Sequence, residues 1–536
     1  MPQGSPTPWS YLLIRLLFKF VLRIFYGTVV VENAELIPKT GRPWIVCANH
    51  SNSLTDALLL VDAVPSRIRN MLRLTAKSTQ FGRKTFTSWL IESAGTVPLK
   101  RRKDYEQGSI NNADNSEVME KLMEALEMGD AICLFPEGAS RYHPTIAPLK
   151  TGVSRIVSDI LTRNRDNPEF EISVLTCSIT YMHRQHFRSD VLVTFNPPMA
   201  FRVKDNPELL APVNYDEIRA LTARMHQEIS SRTIDAPSWE IVRTAKLASR
   251  IYVPLGTKMS LGDYVRVTRI FVEAFKDFDR MRDKSSHEGE KVEYTDEDVN
   301  LLQLRRDLQI YQDQLSRWGI KDDRIRQPLA RGTIASRLLI RLIWSLFLFT
   351  ISLPGLFLWL PVFCTTFYAV HNFKKTGPIW DTWDEIAQYK LIYGLISGLC
   401  VWFGSILITL PKAAITAVVI PSLMWMTLRW LEDAVSAFRA FTALVRLLRV
   451  GKGTLKGMRK EREALHERVM KLAVLTLGLP KDPETYFLEA GGREKGRVRN
   501  GWESGARYFS VRRRRKRDWN ETLRLYDKTD YPEDSL

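Results

Sequence analysis

The stretch WIVCANHSNSLTDALLL, residues 44–60, changes its pattern midway. Residues 44–49 are apolar and β-branched, which is typical of a buried strand. A polar turn follows, and the apolar run after it indicates a helix. A strand that passes through a short turn into a helix is a building unit of α/β domains. The segment therefore predicts an α/β fold.

The same alternation continues along the chain. Three more apolar runs indicate strands: AICLF at 131–135, ISVLTCSI at 172–179 and VLVTF at 191–195. SEVMEKLMEAL, residues 116–126, has apolar residues at helical spacing. We predict one α/β domain over residues 31–240, with a mixed sheet flanked by helices.

The following part, residues 208–330, reads as mostly helical. One helix is predicted at 295–317, where a cap-like Thr295 and an acidic first turn precede apolar positions at helical spacing. We predict a helical extension over residues 241–330.

Length, charge and cysteines bound the class of protein. A chain of 536 residues exceeds one hydrophobic core, so two or more units are expected. Its 77 basic and 60 acidic residues give a net charge of +17, which favours a membrane surface, phosphate ligands or nucleic acid as partner. The five cysteines lack metal-ligand spacing, so we predict reduced, packed thiols and no metal site. No cleavable signal peptide is expected.

Residues 9–26 predict a helix with a basic stripe on an apolar body. Arg15, Lys19 and Arg23 recur every four residues and so share one face. Such a helix suits the bilayer interface, with its charges among the headgroups. The alternative is a buried first helix with basic ends that reach solvent. We predict an amphipathic interfacial helix over residues 1–30.

Three apolar runs predict a membrane-spanning region over residues 331–430. They cover residues 342–370, 391–410 and 413–428. A span needs about 20 apolar residues, so the first two qualify and the third is marginal. Prolines inside them allow kinked spans or a hairpin that dips in and returns. Basic residues on both flanks favour an even number of crossings.

The tail, residues 431–536, is polar and basic. Its run Arg512–Arg517 resembles a nuclear localisation or nucleic-acid patch. In a chain with bilayer spans, a solvated or headgroup-binding tail fits better. We predict a cytosolic tail and no nucleic-acid partner.

His50 and Asp56 are the first candidates for chemistry. His50 follows the predicted strand, and Asp56 lies near the start of the predicted helix. A carboxylate that orients an imidazole makes it a base that can accept a proton from a hydroxyl. The alternative is structural, with a capping histidine and an aspartate that satisfies helix donors.

Two later segments bring basic residues to a possible phosphate. GTVPLKRRKDY, residues 95–105, leads from a short strand into a basic loop, and guanidinium groups bind phosphate through paired hydrogen bonds. LFPEGASRYHPTIAPLKTG, residues 134–152, runs from a strand into a tight turn at Glu137 and Gly138. A cationic or hydroxyl partner is expected for this glutamate, because it would be poorly solvated. The cationic candidates are Lys100, Arg101, Arg102, Lys103, Arg141 and Lys150. The alternatives are a solvated loop and a turn-stabilising glutamate.

In their order, these segments resemble the glycerolipid acyltransferase family. His50 and Asp56 resemble its catalytic pair. Residues 95–101 are similar to its second block, in which the arginine binds the acceptor's phosphate; that residue is Arg101 here. Phe135–Gly138 is similar to its third block, whose glutamate and glycine shape the acceptor site.

Finer features resemble the fungal glycerol-3-phosphate and dihydroxyacetone-phosphate acyltransferases and their bacterial relatives. They are NHSNSLTDALLL, the PEGxS form of the third block, PLKTG at 148–152 and YMHRQHFRS at 181–189. The last lies in a fourth block, residues 172–198, which resembles the strand that closes the core and the basic loop after it, with Arg188 as a further phosphate candidate.

The sequence departs from the usual family pattern in two places. Five residues, not four, separate His50 from Asp56, a spacing that the fungal and bacterial subgroup shares. Ser140 stands where the third block commonly has arginine, which displaces Arg141 by one position. Lys150 or Arg188 would then compensate at the phosphate.

The resemblance implies an α/β acyltransferase domain followed by a helical extension and C-terminal transmembrane helices. It implies sn-1 acylation of glycerol 3-phosphate or dihydroxyacetone phosphate by acyl-CoA, as a co-substrate and with no cofactor. It also implies the endoplasmic reticulum membrane with a cytosolic active site, and lipid droplets as a further location.

Three other functions remain open. An already acylated acceptor would make the chain a lysophosphatidate acyltransferase, although the PEGxS form and the long C-terminal membrane region favour the unacylated acceptor. An inactive membrane scaffold could keep the fold, but it would be free to lose His50, Asp56 and Glu137. Nucleic-acid binding rests on charge alone.

Overall fold

The protein forms two compact units. A computed structural model describes residues 4–77, 81, 82, 84, 86–99, 116–184, 189–253, 259–288, 296–320, 322, 325, 331–376 and 385–490. The first unit contains residues 1–233 and 376–391, and the second contains residues 234–375 and 392–536.

The first unit is built on a six-stranded sheet. Its strands are β1 Thr28–Glu32, β2 Trp44–Ala48, β5 Ala131–Leu134, β6 Glu171–Tyr181, β7 Asp190–Phe195 and β8 Met199–Arg202. A second sheet pairs β3 Thr75–Lys77 with β4 Val97–Leu99 in parallel.

The large sheet is mixed, as predicted. Its order is β1-β7-β6-β2-β5, and β8 pairs with β6. Strand β2 runs parallel to both β5 and β6, whereas β6 is antiparallel to β7 and β8. All five residues of β2 are buried, which explains its continuous apolar sequence. The predicted strands at 44–49, 131–135, 172–179 and 191–195 correspond to β2, β5, β6 and β7.

In the described part of residues 1–233, six helices accompany the sheet. They are α1 Trp9–Phe25, α2 Leu54–Ala63, α3 Phe86–Ser93, α4 Ser116–Glu127, α5 Gly152–Arg163 and α6 Tyr215–Ser230. The last three bury their apolar faces in one core with β2, β5 and β6, for example through Leu126, Ile160 and Met225. This core fixes the three strands at whose ends the candidate residues lie.

The contacts of α1 contradict the prediction that its basic stripe lies among the headgroups. Arg15 is buried and donates to the Val64 carbonyl at the end of α2, and Lys19 pairs with Asp62 at 3.6 Å. The stripe therefore faces the protein instead of the headgroups. The opposite, apolar face is exposed, with Trp9 and Leu16 each at 66%.

The second unit is helical. It contains α7 Trp239–Tyr252, α8 Leu261–Glu288, α9 Asp296–Trp318, α10 Arg331–Thr376, α12 Ala413–Val450, α13 Lys452–Lys471 and α14 Pro483–Ala490. Helix α11 is Ile386–Ile408, and its part from residue 392 onward also belongs to this unit. Helix α13 packs against α7 and α9. Between α9 and α13, the buried Asp322 carboxylate accepts hydrogen bonds from Tyr311 and Arg462, both at 2.8 Å.

Among the described residues, three helices are long and apolar enough to cross a membrane. The candidate spans are Ile334–Lys375, Ile386–Ile408 and Leu410–Val450. Pro354 and Pro361 lie inside α10 without ending it, and Pro421 lies inside α12. Helix α12 also passes through the predicted boundary at residue 430 unbroken. At 46 residues, α10 is about 69 Å long, more than twice the thickness of a bilayer core. The even number of crossings stays a prediction.

Small residues let α10 and α12 approach closely. A Cβ on Gly355 would lie 2.7 Å from the Thr427 Cβ, so only glycine fits at this contact. Ser345 donates to the Ala434 carbonyl at 2.9 Å on the same pair of helices.

Candidate active site

Three neighbouring parallel strands end at the same edge of the sheet. His50 follows β2, Glu137 follows β5, and Tyr181 is the last residue of β6. Because parallel strands present their carboxyl ends together, three segments that are far apart in sequence meet here. Asn49 fixes the edge, since its amide exchanges hydrogen bonds of 2.7 and 3.0 Å with the backbone of Ile179.

His50 and Asp56 form the predicted pair. The His50 Nδ1 lies 2.9 Å from the Asp56 Oδ2, where the carboxylate can only accept, so Nδ1 carries the proton. Asp56 is fully buried, whereas 18% of the His50 side chain is exposed. The ring stacks on Phe135 with centroids 4.1 Å apart. Carboxylate and phenyl ring thus fix the imidazole, whose Nε2 points away from Asp56.

Asp56 accepts four hydrogen bonds. Besides His50, its Oδ2 accepts from the backbone N–H groups of Ser51 and Asn52 at 2.9 and 2.8 Å. Its Oδ1 accepts from the Tyr181 hydroxyl at 2.5 Å. This carboxylate is held from two sides, so it has one orientation in which it can hold the imidazole.

Tyr181 was not predicted as a site residue. Burial, and then the Asp56 charge, raise the pKa of Tyr181 well above its ordinary value, so the hydroxyl stays protonated and donates. Asn52 extends this network, because its amide donates to the Tyr26 hydroxyl at 3.1 Å. A signal existed in the sequence, since Tyr181 is a polar residue at the end of an apolar strand and begins the quoted YMHRQHFRS segment.

The longer loop between His50 and Asp56 bends at Ser53. Ser53 has φ of +48° and ψ of −134°, a positive-φ conformation that few non-glycine residues adopt. Its backbone N–H donates to the Ser140 Oγ at 2.9 Å. The loop of five residues thus contains a strained turn, and the hydrogen bond between His50 and Asp56 still forms.

Glu137 joins the third block to the first. Its Oε1 accepts from the His50 backbone N–H at 2.6 Å, and its Oε2 accepts from the Ala147 N–H at 3.2 Å. Burial raises the pKa of Glu137, an effect that these two hydrogen bonds oppose. The prediction of a cationic or hydroxyl partner was wrong, because the Glu137 carboxylate accepts from two backbone amides instead.

Gly138 provides the room for a lysine. It has φ of +75°, and a Cβ at this position would lie 2.6 Å from the Lys150 Cε. The Lys150 chain therefore crosses the turn directly over Gly138, and the Lys150 backbone N–H donates to the Pro136 carbonyl at 2.8 Å.

We expect Gly138→Ala to lower the free energy of unfolding by about 1–2 kcal/mol from its left-handed backbone, while the exposed end of the Lys150 side chain moves aside. Gly152→Ala is the matched control, because Gly152 lies on the same segment with open space around its Cα. Thermal unfolding of both variants in detergent measures the difference. Equal melting temperatures would contradict the strain assigned to the backbone at Gly138.

The predicted cationic residues divide into two groups. Lys100, Arg101 and Arg188 lie outside the described residues, as do Arg102 and Lys103. Arg141 is exposed, and its backbone N–H donates to the His50 carbonyl at 3.0 Å. The structure thus brings Arg141 and Lys150 to the turn that carries Glu137.

Arg184 is a further cation that the sequence did not single out. It is buried, it donates to the Ser51 carbonyl at 2.7 Å, and its guanidinium carbon lies 3.5 Å from the centroid of the Tyr142 ring. Burial raises the pKa of Tyr142 to about 12, so this ring stays neutral. Arg184 therefore ties the fourth block to the loop between His50 and Asp56.

In the described parts of the chain, no three His, Cys, Asp or Glu side chains lie close enough to share an ion.

Two parts of the chain match known family models. Residues 28–180 match the family model described as Acyltransferase, and residues 244–377 match the model of the glycerol-3-phosphate acyltransferase 2 C-terminal domain. The two matches together cover just over half of the chain. Residues 28–180 of the first unit are thus an acyltransferase domain by their family match.

More narrowly, the chain is similar to fungal glycerol-3-phosphate acyltransferases, as the sequence predicted. Glycerol-3-phosphate O-acyltransferase 2 of Saccharomyces cerevisiae is 24% identical over 511 residues, which cover 75% of this chain and 66% of the relative. Glycerol-3-phosphate O-acyltransferase 1 of the same yeast is 24% identical over 311 residues, 55% of this chain and 38% of the relative. The chain thus spans less than two thirds of these relatives.

One solved structure is also similar. The crystal structure of the 1-acyl-sn-glycerophosphate (LPA) acyltransferase PlsC from Thermotoga maritima matches 41% of this chain and 80% of its own, with 21% identity and a TM-score of 0.28.

Proposed function

We propose that the chain transfers an acyl group from acyl-CoA to the sn-1 hydroxyl of glycerol 3-phosphate, dihydroxyacetone phosphate or both. The observation that carries this proposal is the imidazole of His50, held by Asp56 and Phe135 at the edge where three strands end. The relationship to yeast glycerol-3-phosphate O-acyltransferases supports the choice of acceptor.

In the proposed mechanism, His50 Nε2 removes the proton from the acceptor hydroxyl. The Asp56 carboxylate stabilises the imidazolium that forms, because its Oδ2 already accepts a hydrogen bond from His50 Nδ1, with 2.9 Å between the two atoms. The oxygen attacks the thioester carbonyl, and the tetrahedral intermediate collapses with cleavage of the C–S bond. The imidazolium returns its proton to the departing sulfur, so the products are the ester and CoA thiol, without an acyl-enzyme and without a cofactor.

The acceptor's phosphate needs cations beside this base. We propose Arg101 as its main ligand, with Lys100, Arg141, Lys150 and Arg188 as supporting candidates. Glu137 and Gly138 shape the acceptor side: the glutamate fixes the His50 backbone, and the glycine lets Lys150 cross the turn.

The apolar face of α1 supports a site at the membrane surface. We propose that Trp9, Leu16 and their exposed neighbours enter the cytosolic leaflet of the endoplasmic reticulum or the surface of lipid droplets. Acyl donor and product are amphiphiles, so such a position shortens their path. The three candidate spans support association with a membrane.

Two other functions are outcomes of the same experiment. A lysophosphatidate acyltransferase would use the same base with an acylated acceptor. An inactive scaffold would keep the fold without turnover, although the intact hydrogen bonds around Asp56 favour an enzyme.

The test is CoA release from palmitoyl-CoA by the detergent-solubilised protein. Glycerol 3-phosphate, dihydroxyacetone phosphate and lysophosphatidate are offered separately. We expect release with one or both of the first two, and a fall of about 10²–10⁴-fold in His50→Ala, the range for a lost general base. His226→Ala on α6 is the matched control and should keep its rate.

Release with lysophosphatidate alone would replace the proposed acceptor by the alternative one. Folded protein that releases no CoA with any acceptor would support the scaffold.

A further inference from the structure

Helix α2, which carries Asp56, begins without a cap of its own. Its N-cap residue Ser53 makes no side-chain capping hydrogen bond. The first four N–H groups of a helix lack partners within the helix and need acceptors from elsewhere. Any looseness in this turn moves Asp56, because that residue lies in it.

All four N–H groups have acceptors in the structure, and two of these are distant. The N–H groups of Thr55 and Asp56 donate to the carbonyls of Asn52 and Ser53 within the turn. The Ser53 N–H donates to the Ser140 Oγ at 2.9 Å. The Leu54 N–H donates to the Gln388 Oε1 at 3.3 Å, across 334 residues of chain.

Gln388 lies in the first turn of α11, the second candidate span. Residues 376–391 belong to the same compact unit as His50 and Asp56. Around Gln388, the side chains of Ile386, Ala387 and Leu391 are buried to 2% exposure or less. The beginning of this apolar helix is therefore a packed part of the first unit, the unit that contains the catalytic pair.

We propose that Gln388 is a positioning residue for the catalytic pair. Its side-chain oxygen completes the N-terminal cap of α2 and so holds Asp56 in the place from which it orients His50. This one acceptor atom connects α11, a candidate membrane span, to the loop that carries the catalytic pair. The effect on catalysis rests on the proposed function, whereas the cap itself does not.

The decisive comparison is between Gln388→Met and Gln388→Glu. Methionine keeps the length of the side chain and loses the oxygen, whereas glutamate keeps the acceptor and adds a charge that suits a helix N-terminus. We expect kcat to fall about fivefold in Gln388→Met, as for a lost capping acceptor. Gln388→Glu should stay within about twofold of wild type, and the KM for the acceptor should stay within about twofold in both.

The control is Gln227→Met, since Gln227 is an exposed glutamine on α6. A second readout needs no activity: amide hydrogen exchange of residues 53–56 should be faster in Gln388→Met than in wild type, Gln388→Glu or the control. Wild-type kcat in Gln388→Met, an equal loss in Gln388→Glu, or unchanged exchange would each overturn the proposal. Inactive wild-type protein with faster exchange in Gln388→Met would instead sink the proposed function and keep the cap.

Discussion

Replacing Asp56 by asparagine should lower kcat about 10³-fold, within the range for loss of a general base. The Asp56 Oδ2 accepts from His50 Nδ1 and from two backbone N–H groups. An amide cannot serve these donors and Tyr181 together. If its NH₂ faces His50, the imidazole must carry its proton on Nε2, and that nitrogen can no longer act as the base.

The control for this variant is Asp159→Asn on α5, a partly exposed aspartate paired with Arg155. CoA release with the preferred acceptor measures kcat, and thermal unfolding shows that the variant is folded. A folded Asp56→Asn with more than a tenth of the wild-type rate would contradict the role given to Asp56.

We expect Asp322→Ala to have a large effect on stability. It should lower the free energy of unfolding by about 3–5 kcal/mol, because it removes one partner of a buried ion pair. Asp322 and Arg462 have side chains exposed by only 4% and 5%. The alanine variant leaves the guanidinium without its carboxylate and the Tyr311 hydroxyl without an acceptor.

Denaturant unfolding in detergent measures this loss, and Asp313→Ala on the exposed face of α9 is the control. The double variant Asp322→Ala/Arg462→Met should be more stable than Asp322→Ala alone, because it also removes the stranded charge. If the double variant loses as much free energy of unfolding as the two single variants together, the two residues act separately.

Local patterns explain why much of the first unit could be predicted. The run from Trp44 to Leu60 contains its strand, turn and helix in consecutive residues, so hydrophobic periodicity indicates all three. His50 and Asp56 were predicted for the same reason, since the loop between them is short. Glu137 was recognised through its block, but its partners were not, because backbone amides leave no mark in the sequence.

Contacts between distant segments explain the misses. The basic stripe of α1 looks solvent-facing until α2 supplies Asp62 and the Val64 carbonyl. Tyr181 reaches Asp56 only because β6 pairs with β2 in one register. Pro354 and Pro361 were treated as possible breaks, yet α10 continues through both, as apolar helices with packed neighbours can.

The hydrogen bond between Ser53 and Ser140 makes the two departures from the usual family pattern one coupled change. The longer loop creates an additional amide, and a short hydroxyl at position 140 satisfies it, where an arginine could only donate. Loop length and residue 140 should therefore covary among relatives: chains with five residues between histidine and aspartate should keep a small acceptor at this position.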